Sequence, residues 1–468
     1  MLFSSLTFLL VFLPLTLIVY FLSKDIYKNY ILLLVSLVFY SWGEPKYIIL
    51  MILSIIFNYY FGILIDKFKK RKKLRKIILV LSIIFNIGLL LVFKYLGFIF
   101  NNISSLFSLD LPMINIMLPI GISFYTFQIL SYVVDVYKKE VKVQKNIFTL
   151  ATYITLFPQL IAGPIVRYQT VEKELNERTH SLEKIYNGIK RFIVGLGKKI
   201  IIANNMALLA DAIFNYAIEY NYKGIPIIIG VLAYTFQIYF DFSGYSDMAI
   251  GLGKIFGFEF LENFNYPYIS QSITDFWRRW HISLSSFFRD YVYIPLGGNR
   301  VKKYRWILNI LIVWALTGLW HGASWNFIIW GLYFAIILLI EKLFLSKLLN
   351  KIPRVFRWLY SFILINIGWI IFRSESFELM TYVFKNIFVI NRQTNLNFLT
   401  NYYHLLNYVL YMIPAFVFSF PVIKILKNKF KENKIYLIIE DICLICIFGI
   451  CILTLVKGSY NPFIYFRF

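Results

Sequence analysis

Long apolar runs recur along this 468-residue chain from its first residues to its last. Most of these runs reach roughly 17–25 residues, the length that an α-helix needs to cross a bilayer. Charged residues make up 15% of the sequence, against about 25% in soluble domains, and the mean hydropathy is +0.68. Because backbone groups in lipid must find their hydrogen bonds inside the protein, such runs predict an all-α polytopic membrane protein.

We expect about 11–13 transmembrane helices and, in addition, re-entrant helices. The predicted re-entrant element is Ile147–Val166, a shorter apolar run that Pro158 and Pro164 interrupt. The other candidate spans are apolar runs, most of them near bilayer length: Phe3–Leu22, Tyr30–Trp42, Tyr47–Asp66, Ile77–Phe100, Ile114–Asp135, Gly188–Phe214, Ile225–Asp241, Trp306–His321, Trp325–Leu345, Phe356–Phe372, Tyr402–Ile425 and Ile435–Val456.

No separate soluble domain of useful size is visible between these runs. The sequence therefore predicts a single integral membrane domain over residues 1–468. Within it we distinguish N-terminal helices at 1–137, a motif-bearing core at 138–345 and C-terminal helices at 346–468.

The formal net charge of +24 comes mainly from lysines in short loops between the spans. Cytoplasmic loops of membrane proteins carry such an excess, so this charge does not indicate a nucleic-acid partner. The basic stretch Lys67–Lys76 places the loop after the third span in the cytoplasm. If Ile147–Val166 returns to the side from which it enters, the other basic loops also lie inside. Both termini are then predicted on the extracytoplasmic face.

The most polar stretch of the chain is Thr274–Arg300, which holds four arginines, two aspartates and a histidine. Taken as one helix, it places Arg278, His281, Ser285 and Arg289 along a single stripe. A charged side chain at the bilayer centre costs roughly 2.5–3.5 kcal/mol. The stripe therefore predicts a wet cavity, a cytoplasmic surface or a pre-paired internal site. The alternative is an interfacial amphipathic helix whose arginines meet lipid phosphates.

A second histidine, His321, ends the candidate span that begins at Trp306. An ionisable residue within a span is a functional hypothesis by default, and imidazole titrates near neutrality, which suits proton transfer. Gly318 and Gly322 form a small-x-x-x-small pair that lets another backbone approach closely. The structural alternative is a histidine that is hydrogen-bonded to a neighbouring helix.

The two remaining histidines carry weaker signals. His180 lies in a charged loop, where we expect it to be solvated, and His404 is expected at the outer membrane interface. Because the four histidines show no paired ligand spacing, we expect no metal site.

Six motifs are spread over nearly the whole chain. They are LPIGISFYTFQILSYVVDVY (Leu118–Tyr137), LFPQLIAGPIVRY (Leu156–Tyr168), AYTFQIYFDFSGYSDMAIGLG (Ala233–Gly253), DFWRRWHISLSSFFRDYVYIPLGGNR (Asp275–Arg300), LTGLWHGASWNFIIWGLYF (Leu316–Phe334) and NPFIYFRF (Asn461–Phe468). Together they resemble the membrane-bound O-acyltransferase (MBOAT) family, and within it the AlgI-like branch of polysaccharide O-acetylation proteins. The DltB-like D-alanylation proteins are similar at a greater distance.

This resemblance implies an acyltransferase built as a ring of helices around a tunnel that joins cytoplasmic and external funnels. It assigns catalysis to His321, with His281 as a second histidine nearer the cytoplasmic side. The residues expected to bind the donor or line the tunnel are Trp277, Arg278, Arg279, Trp280, Ser285, Arg289, Asp290, Trp320, Asn326, Gln237 and Asp241.

The resemblance also implies the partners of the reaction. Acetyl-CoA is the expected donor, with no bound cofactor, and a polysaccharide is the expected acceptor. An exported acetyl-relay protein of the SGNH type or similar is the expected partner at a bacterial inner membrane. D-alanyl or other acyl transfer to a cell-wall polymer is one alternative, and a transporter or flippase of the acyl donor is another.

Overall fold

A computed structural model describes residues 1–110, 112, 116–389, 407–430, 433–458 and 460–463. Throughout those ranges the regular secondary structure is helical, which confirms the predicted fold class. Seven described helices are long and apolar enough to cross a membrane, or eight if a bent pair near the C-terminus is one span. The chain is therefore a multi-pass membrane protein.

The helices of the first half include several that are shorter than a bilayer. In chain order they are α1 (Leu13–Leu22), α2 (Lys28–Gly43), α3 (Ile48–Lys67), α4 (Lys72–Leu90), α5 (Leu96–Phe107), α6 (Ile122–Lys138), α7 (Ile147–Thr155), α8 (Phe157–Leu160), α9 (Tyr168–Asn176), α10 (Leu182–Gly197) and α11 (Asn204–Tyr216).

The second half contains the longest single helix and the predicted histidine segment. Its described helices are α12 (Ile225–Ile255), α13 (Ile273–Arg279), α14 (Ile282–Phe288), α15 (Lys303–His321), α16 (Trp325–Ile340), α17 (Ser346–Leu349), α18 (Arg354–Arg373), α19 (Phe377–Asn386), α20 (Met412–Phe418), α21 (Val422–Lys429) and α22 (Lys434–Val456).

Two predicted spans differ from the structure in their bounds, and the predicted re-entrant element is broken as expected. The span predicted from Ile114 begins instead at Ile122, after Gly121 takes a left-handed φ of +77°. The run Ile147–Val166 is broken into α7 and α8 at Leu156, as its prolines suggested. The span predicted to end at Asp241 continues as helix to Ile255, because its polar residues are buried within the protein.

The chain forms two compact units, one from residues 1–192 and 248–261 and the other from 193–247 and 262–468. Inside the first unit, a buried polar group joins α3 to α4. The Asn58 and Asn86 side chains donate to one another at 2.8 and 3.1 Å, and the Ser82 hydroxyl donates to Asn58 at 3.1 Å. Amide and hydroxyl pairs of this kind hold helices together where water is absent.

His180, in the first unit, is half-buried, so the expectation of a solvated side chain is wrong. The Tyr20 hydroxyl donates to the carbonyl of Phe256 at 2.9 Å, and it therefore accepts from His180 Nε2, also at 2.9 Å. Burial lowers the pKa of His180, and the charges of Lys28 and Arg178 lower it further. His404 lies outside the described residues.

In the second unit, α15 and α16 approach with almost no space between their backbones. A Cβ on Gly318 would lie 2.3 Å from the carbonyl oxygen of Phe327, and one on Gly331 would lie 2.4 Å from that of Trp314. The small-residue motif is thus confirmed for Gly318. Close contact over this length fixes the end of α15, where His321 lies.

Candidate active site

The polar stretch after Thr274 is not one helix, so the predicted stripe of Arg278, His281, Ser285 and Arg289 is wrong. It forms two short helices, α13 and α14, with Trp280 extended and His281 left-handed at φ +44° between them. This break turns His281 away from the helical repeat. It also leaves backbone groups that a neighbouring loop pairs: Asn265 N–H donates to Arg279 O, and Ile282 N–H donates to Asn263 O.

Glu341 holds the start of α13. Its buried carboxylate accepts from the backbone N–H of Ile273 at 2.6 Å and from the backbone N–H and hydroxyl of Thr274 at 2.8 and 2.6 Å. The Tyr360 hydroxyl donates to it at 3.2 Å. A carboxylate at a helix N-terminus satisfies N–H groups that have no partner within the helix. Glu341 therefore anchors the segment that leads to His281.

His281 is 1% exposed and lies among aromatic rings. Its ring centroid is 4.7 Å from that of Phe242 and 5.6 Å from that of Trp320. Its Nδ1 lies 3.2 Å from Oδ1 of Asn263. Burial holds the pKa of His281 well below its usual value, and proximity to His321 lowers it further, so the side chain is neutral near physiological pH.

His321 is the last residue of α15 and is 4% exposed. Its ring packs against Trp320 at 5.1 Å, Trp330 at 4.9 Å and Phe372 at 5.2 Å between centroids. Trp320 thus contacts both histidines. The structure brings the two predicted catalytic residues into one aromatic enclosure, although 40 positions separate them in sequence.

A cavity of about 420 Å³ adjoins this enclosure through Phe372, whose ring packs on His321 and also lines the cavity. Gln237 and Asn326, both predicted to line the tunnel, are in its wall. The wall also contains Asp211, Tyr234, Ser324, Phe327, Arg373, Glu375, Pro462 and Phe463.

The charges in the cavity wall are paired with one another. Arg373, 6% exposed, donates to Asp211 at 2.8 Å, Asn215 at 3.1 Å and Glu375 at 3.1 Å. Tyr460 also donates to Asp211, at 2.8 Å. Pairing of this kind lets buried charges persist in a low-dielectric surrounding. The cavity therefore presents polar groups to a ligand without a large unbalanced charge.

The predicted residues Trp277 and Trp280 pack against other aromatic rings. Trp277 packs against Trp314, Trp330 and Phe334 at 4.7–5.5 Å between centroids. Trp280 packs against Trp369 at 4.9 Å. These rings fill the space around the short helices and fix their positions.

The predicted arginines differ in their surroundings. Arg279 is bound to Asp275, four residues earlier, at 2.9 Å, and exposed Arg289 is bound to Asp290 at 2.6 Å. Arg278 is exposed and makes no ion pair among the described residues. Ser285 is half-buried on α14.

Asp241 and Asn326 are held by neighbours. Asp241 is 1% exposed and forms an ion pair with Lys199 at 2.7 Å. Asn326 accepts from the Ser324 hydroxyl and donates to the carbonyl of Phe372 at 3.1 Å. By contrast, Oε1 of Gln237 is buried and has no partner in the described part of the chain.

Sequence reasoning missed Asn263, Glu341 and Arg373. Glu341 carried a usable signal, because it is an acidic residue at the end of an apolar run, and such residues are expected to be paired or functional. Asn263 carried none, since it lies 18 positions from His281 in a loop. Within the described ranges, no three His, Cys, Asp or Glu residues are grouped for metal binding. The expectation of a metal-free site stays a prediction.

Comparison with known proteins places this sequence in a family. Residues 6–381 match the profile described as "MBOAT, membrane-bound O-acyltransferase family". The chain is 43% identical over 393 residues to "Probable alginate O-acetylase AlgI" of Azotobacter vinelandii, covering 83% of this chain and 78% of that protein.

Two further relatives are named for other acyl transfers. A "Peptidoglycan O-acetyltransferase" of Helicobacter pylori is 36% identical over 426 residues, covering 84% of this chain and 80% of the relative. A "Teichoic acid D-alanyltransferase" of Bacillus subtilis is 33% identical over 262 residues, covering 53% and 64%. With this match over most of its length, the chain belongs to the membrane-bound O-acyltransferase family and is an acyltransferase.

Proposed function

We propose that this protein transfers an acetyl group from acetyl-CoA to a hydroxyl group, for O-acetylation of an extracellular polysaccharide. The observation that carries this proposal is the shared enclosure of His281 and His321 beside a cavity with which it has Phe372 in common. Two buried imidazoles next to a polar cavity suit proton transfer to and from a bound substrate.

The names of the relatives favour acetyl as the cargo. Two relatives named as O-acetylating enzymes match more than four-fifths of this chain, whereas the D-alanyltransferase of Bacillus subtilis matches about half of it. Those names also include alginate and peptidoglycan, so a glycan of the cell surface is the acceptor class that we propose. The acceptor hydroxyl belongs either to the glycan or to an exported SGNH-type relay protein.

In the proposed reaction, His321 removes the proton from the acceptor hydroxyl as its oxygen attacks the thioester carbonyl carbon. The carbon–sulfur bond then breaks, and His321 returns the proton to the departing thiolate. The products are an O-acetyl ester and free CoA. Asn326 is the proposed side chain nearest the developing oxyanion, although its amide is also needed to bind Phe372.

The proposed orientation follows the distribution of basic residues. In this orientation, Lys67–Lys76 and the other basic loops lie on the cytoplasmic side of a bacterial inner membrane. Both termini lie on its extracytoplasmic side. Acetyl-CoA then approaches from the side of Arg278, the exposed arginine of α13. Its guanidinium is proposed to meet a phosphate of the donor.

The test is purified protein in liposomes with radiolabelled acetyl-CoA and a surface glycan, followed as release of free CoA and as labelled ester. We expect His321→Ala to lower release by about 10²–10⁴-fold. His180→Ala is the matched control, because His180 is a half-buried histidine of the first unit, and it should release CoA at the wild-type rate. Uptake of label without CoA release would indicate a transporter and would overturn the proposal.

The same variants can be compared in cells. A deletion strain that carries His321→Ala should lack O-acetyl esters on its surface glycan while the amount of the protein stays normal. Wild-type ester content in that strain would contradict the assignment of His321. D-alanyl esters in place of acetyl esters in the wild type would contradict the proposed cargo.

A further inference from the structure

Three hydrogen bonds converge on one atom beside His281. Oδ1 of Asn263 lies 3.1 Å from the backbone nitrogen of Ser283, 2.9 Å from the Ser283 hydroxyl and 3.2 Å from Nδ1 of His281. Asn263 is fully buried. The arrangement makes this amide the immediate partner of the imidazole.

The identity of the convergent atom fixes the position of a proton. A backbone N–H can only donate, so the Asn263 atom that faces Ser283 is the amide oxygen. An amide oxygen can only accept, so Nδ1 of His281 must carry the hydrogen. A neutral imidazole has one N–H, and Nε2 therefore keeps its lone pair.

Nε2 of His281 is buried and has no hydrogen-bond partner in the described part of the chain. The rings of Phe242 and Trp320 adjoin the imidazole. Buried polar atoms are nearly always paired in native structures. A lone pair left in an aromatic enclosure therefore points to a ligand that donates an N–H, O–H or S–H.

The main chain holds the same geometry. Ile282 N–H donates to the Asn263 carbonyl at 3.0 Å, and Asn265 N–H donates to the Arg279 carbonyl at 2.9 Å. These two bonds flank His281, whose left-handed φ of +44° is uncommon for a residue with a Cβ. The Asn263 loop thus fixes both the backbone and the ring of His281.

We infer that Asn263 is a positioning residue that holds His281 as its neutral Nδ1–H tautomer, leaving Nε2 to accept a hydrogen bond from the substrate. The hydrogen on Nδ1 follows from the geometry, and the bare Nε2 follows because the buried ring is neutral. Its importance in turnover rests on the proposed function.

The charges around His281 agree with a neutral ring. Of the titratable groups in the described ranges, His321 on α15 is the one whose charge acts on it. Asp241, next to Phe242 on α12, is already ion-paired with Lys199. Asn263, in the loop before α13, and Ser283, on α14, are uncharged.

The decisive variant is Asn263→Asp, which places a carboxylate against Nδ1–H. An opposite charge at hydrogen-bond distance raises the pKa of a histidine. The acid limb of the kcat profile should therefore move upward by about one pH unit or more, which is about a tenfold loss of kcat at pH values well below the wild-type pKa. Asn265→Asp is the matched control: it makes the same change on an exposed side chain of the same loop and should keep the wild-type profile.

A spectroscopic readout is independent of activity. The chain has four histidines, so ¹⁵N-histidine labelling with a His281→Gln variant identifies the signal of His281. We expect a protonated Nδ1 and a bare Nε2 in the wild-type protein at neutral pH. A protonated Nε2 in the wild-type protein would overturn the inference, even if Asn263→Asp failed to fold. An unchanged kcat profile and an unchanged titration of His281 in a folded Asn263→Asp would also overturn it. A third outcome separates the two claims: the tautomer is as inferred, but His281→Gln is fully active. In that case the inference about Asn263 holds, and the role of His281 in the proposed function is wrong.

Discussion

The imidazole of His281 and the indole of Trp320 pack with their ring centroids 5.6 Å apart and their planes at 63°. Trp320 immediately precedes His321, and its ring is 5.1 Å from that of His321. One indole therefore contacts both histidines. This indole therefore packs the end of α15 against the break before α14, where His281 lies.

The pH dependence of stability should report the buried, neutral state of His281. Its pKa in the folded protein lies well below the value of about 6.5 that it has when unfolded. The unfolded chain thus binds a proton first as the pH falls. The stability from neutral His281 is complete above about pH 6.5 and is lost below it, at up to about 1.4 kcal/mol per pH unit.

Unfolding of the wild type and of His281→Gln, followed from about pH 8 to about pH 5, checks this sign. Glutamine can keep a donor toward Asn263 but does not titrate. We expect the difference in the free energy of unfolding between the two proteins to be constant at the alkaline end. Below about pH 6.5 the wild type should lose stability relative to the variant. Parallel curves over the whole range would contradict a lowered pKa.

Glu341→Ala should destabilise the protein, because it leaves the N–H groups of Ile273 and Thr274 without their carboxylate. Each buried donor left unsatisfied costs about 1–3 kcal/mol, so we expect a loss of roughly 3 kcal/mol. The stability of Glu341→Gln should lie between that of the wild type and that of Glu341→Ala, since the amide nitrogen of glutamine cannot accept a hydrogen bond. Denaturant or thermal unfolding in detergent measures the effect.

The control is Glu378→Ala, which removes an exposed carboxylate from the first turn of α19. Its effect should stay within about 0.5 kcal/mol. If Glu341→Ala unfolds at the same denaturant concentration or temperature as this control, the Glu341 carboxylate is not the anchor of α13.

Gly318→Ala should reduce both stability and activity. Its new Cβ would lie 2.3 Å from the carbonyl oxygen of Phe327, and a backbone atom cannot move aside as a flexible side chain can. We expect a cost of about 1–3 kcal/mol from overpacking. Because His321 follows three residues later, its displacement should lower activity by up to roughly 10²-fold.

Gly449→Ala is the matched control, as nothing lies within 4 Å of a Cβ at this position inside α22. Alanine is the better helix former by roughly 0.5–1 kcal/mol, so this variant should be as stable as the wild type or more so. Equal behaviour of the two variants in unfolding and turnover assays would show that α15 and α16 can separate without consequence.

The sequence by itself determined the membrane class, most of the spans, the break in Ile147–Val166 and the position of His321 at a helix end. These features are local, since composition and the spacing of small residues or prolines along a single run are enough to indicate them. The same holds for the family, whose motifs are continuous stretches of the chain. The prediction of one continuous helix through His281 was wrong, because the break at His281 is paired with the loop that holds Asn263 and Asn265. That loop ends before α13 begins, so the helical repeat carries no sign of it.

Only the tertiary structure decided which groups meet at the site. Asn263 reaches His281 across 18 positions and Glu341 reaches Thr274 across 67, and neither pairing has a periodic signature. Phe372, which both packs on His321 and lines the cavity, comes from a later helix. Such contacts follow from how helices pack, since burial forces each polar atom to find whatever partner the packing brings near.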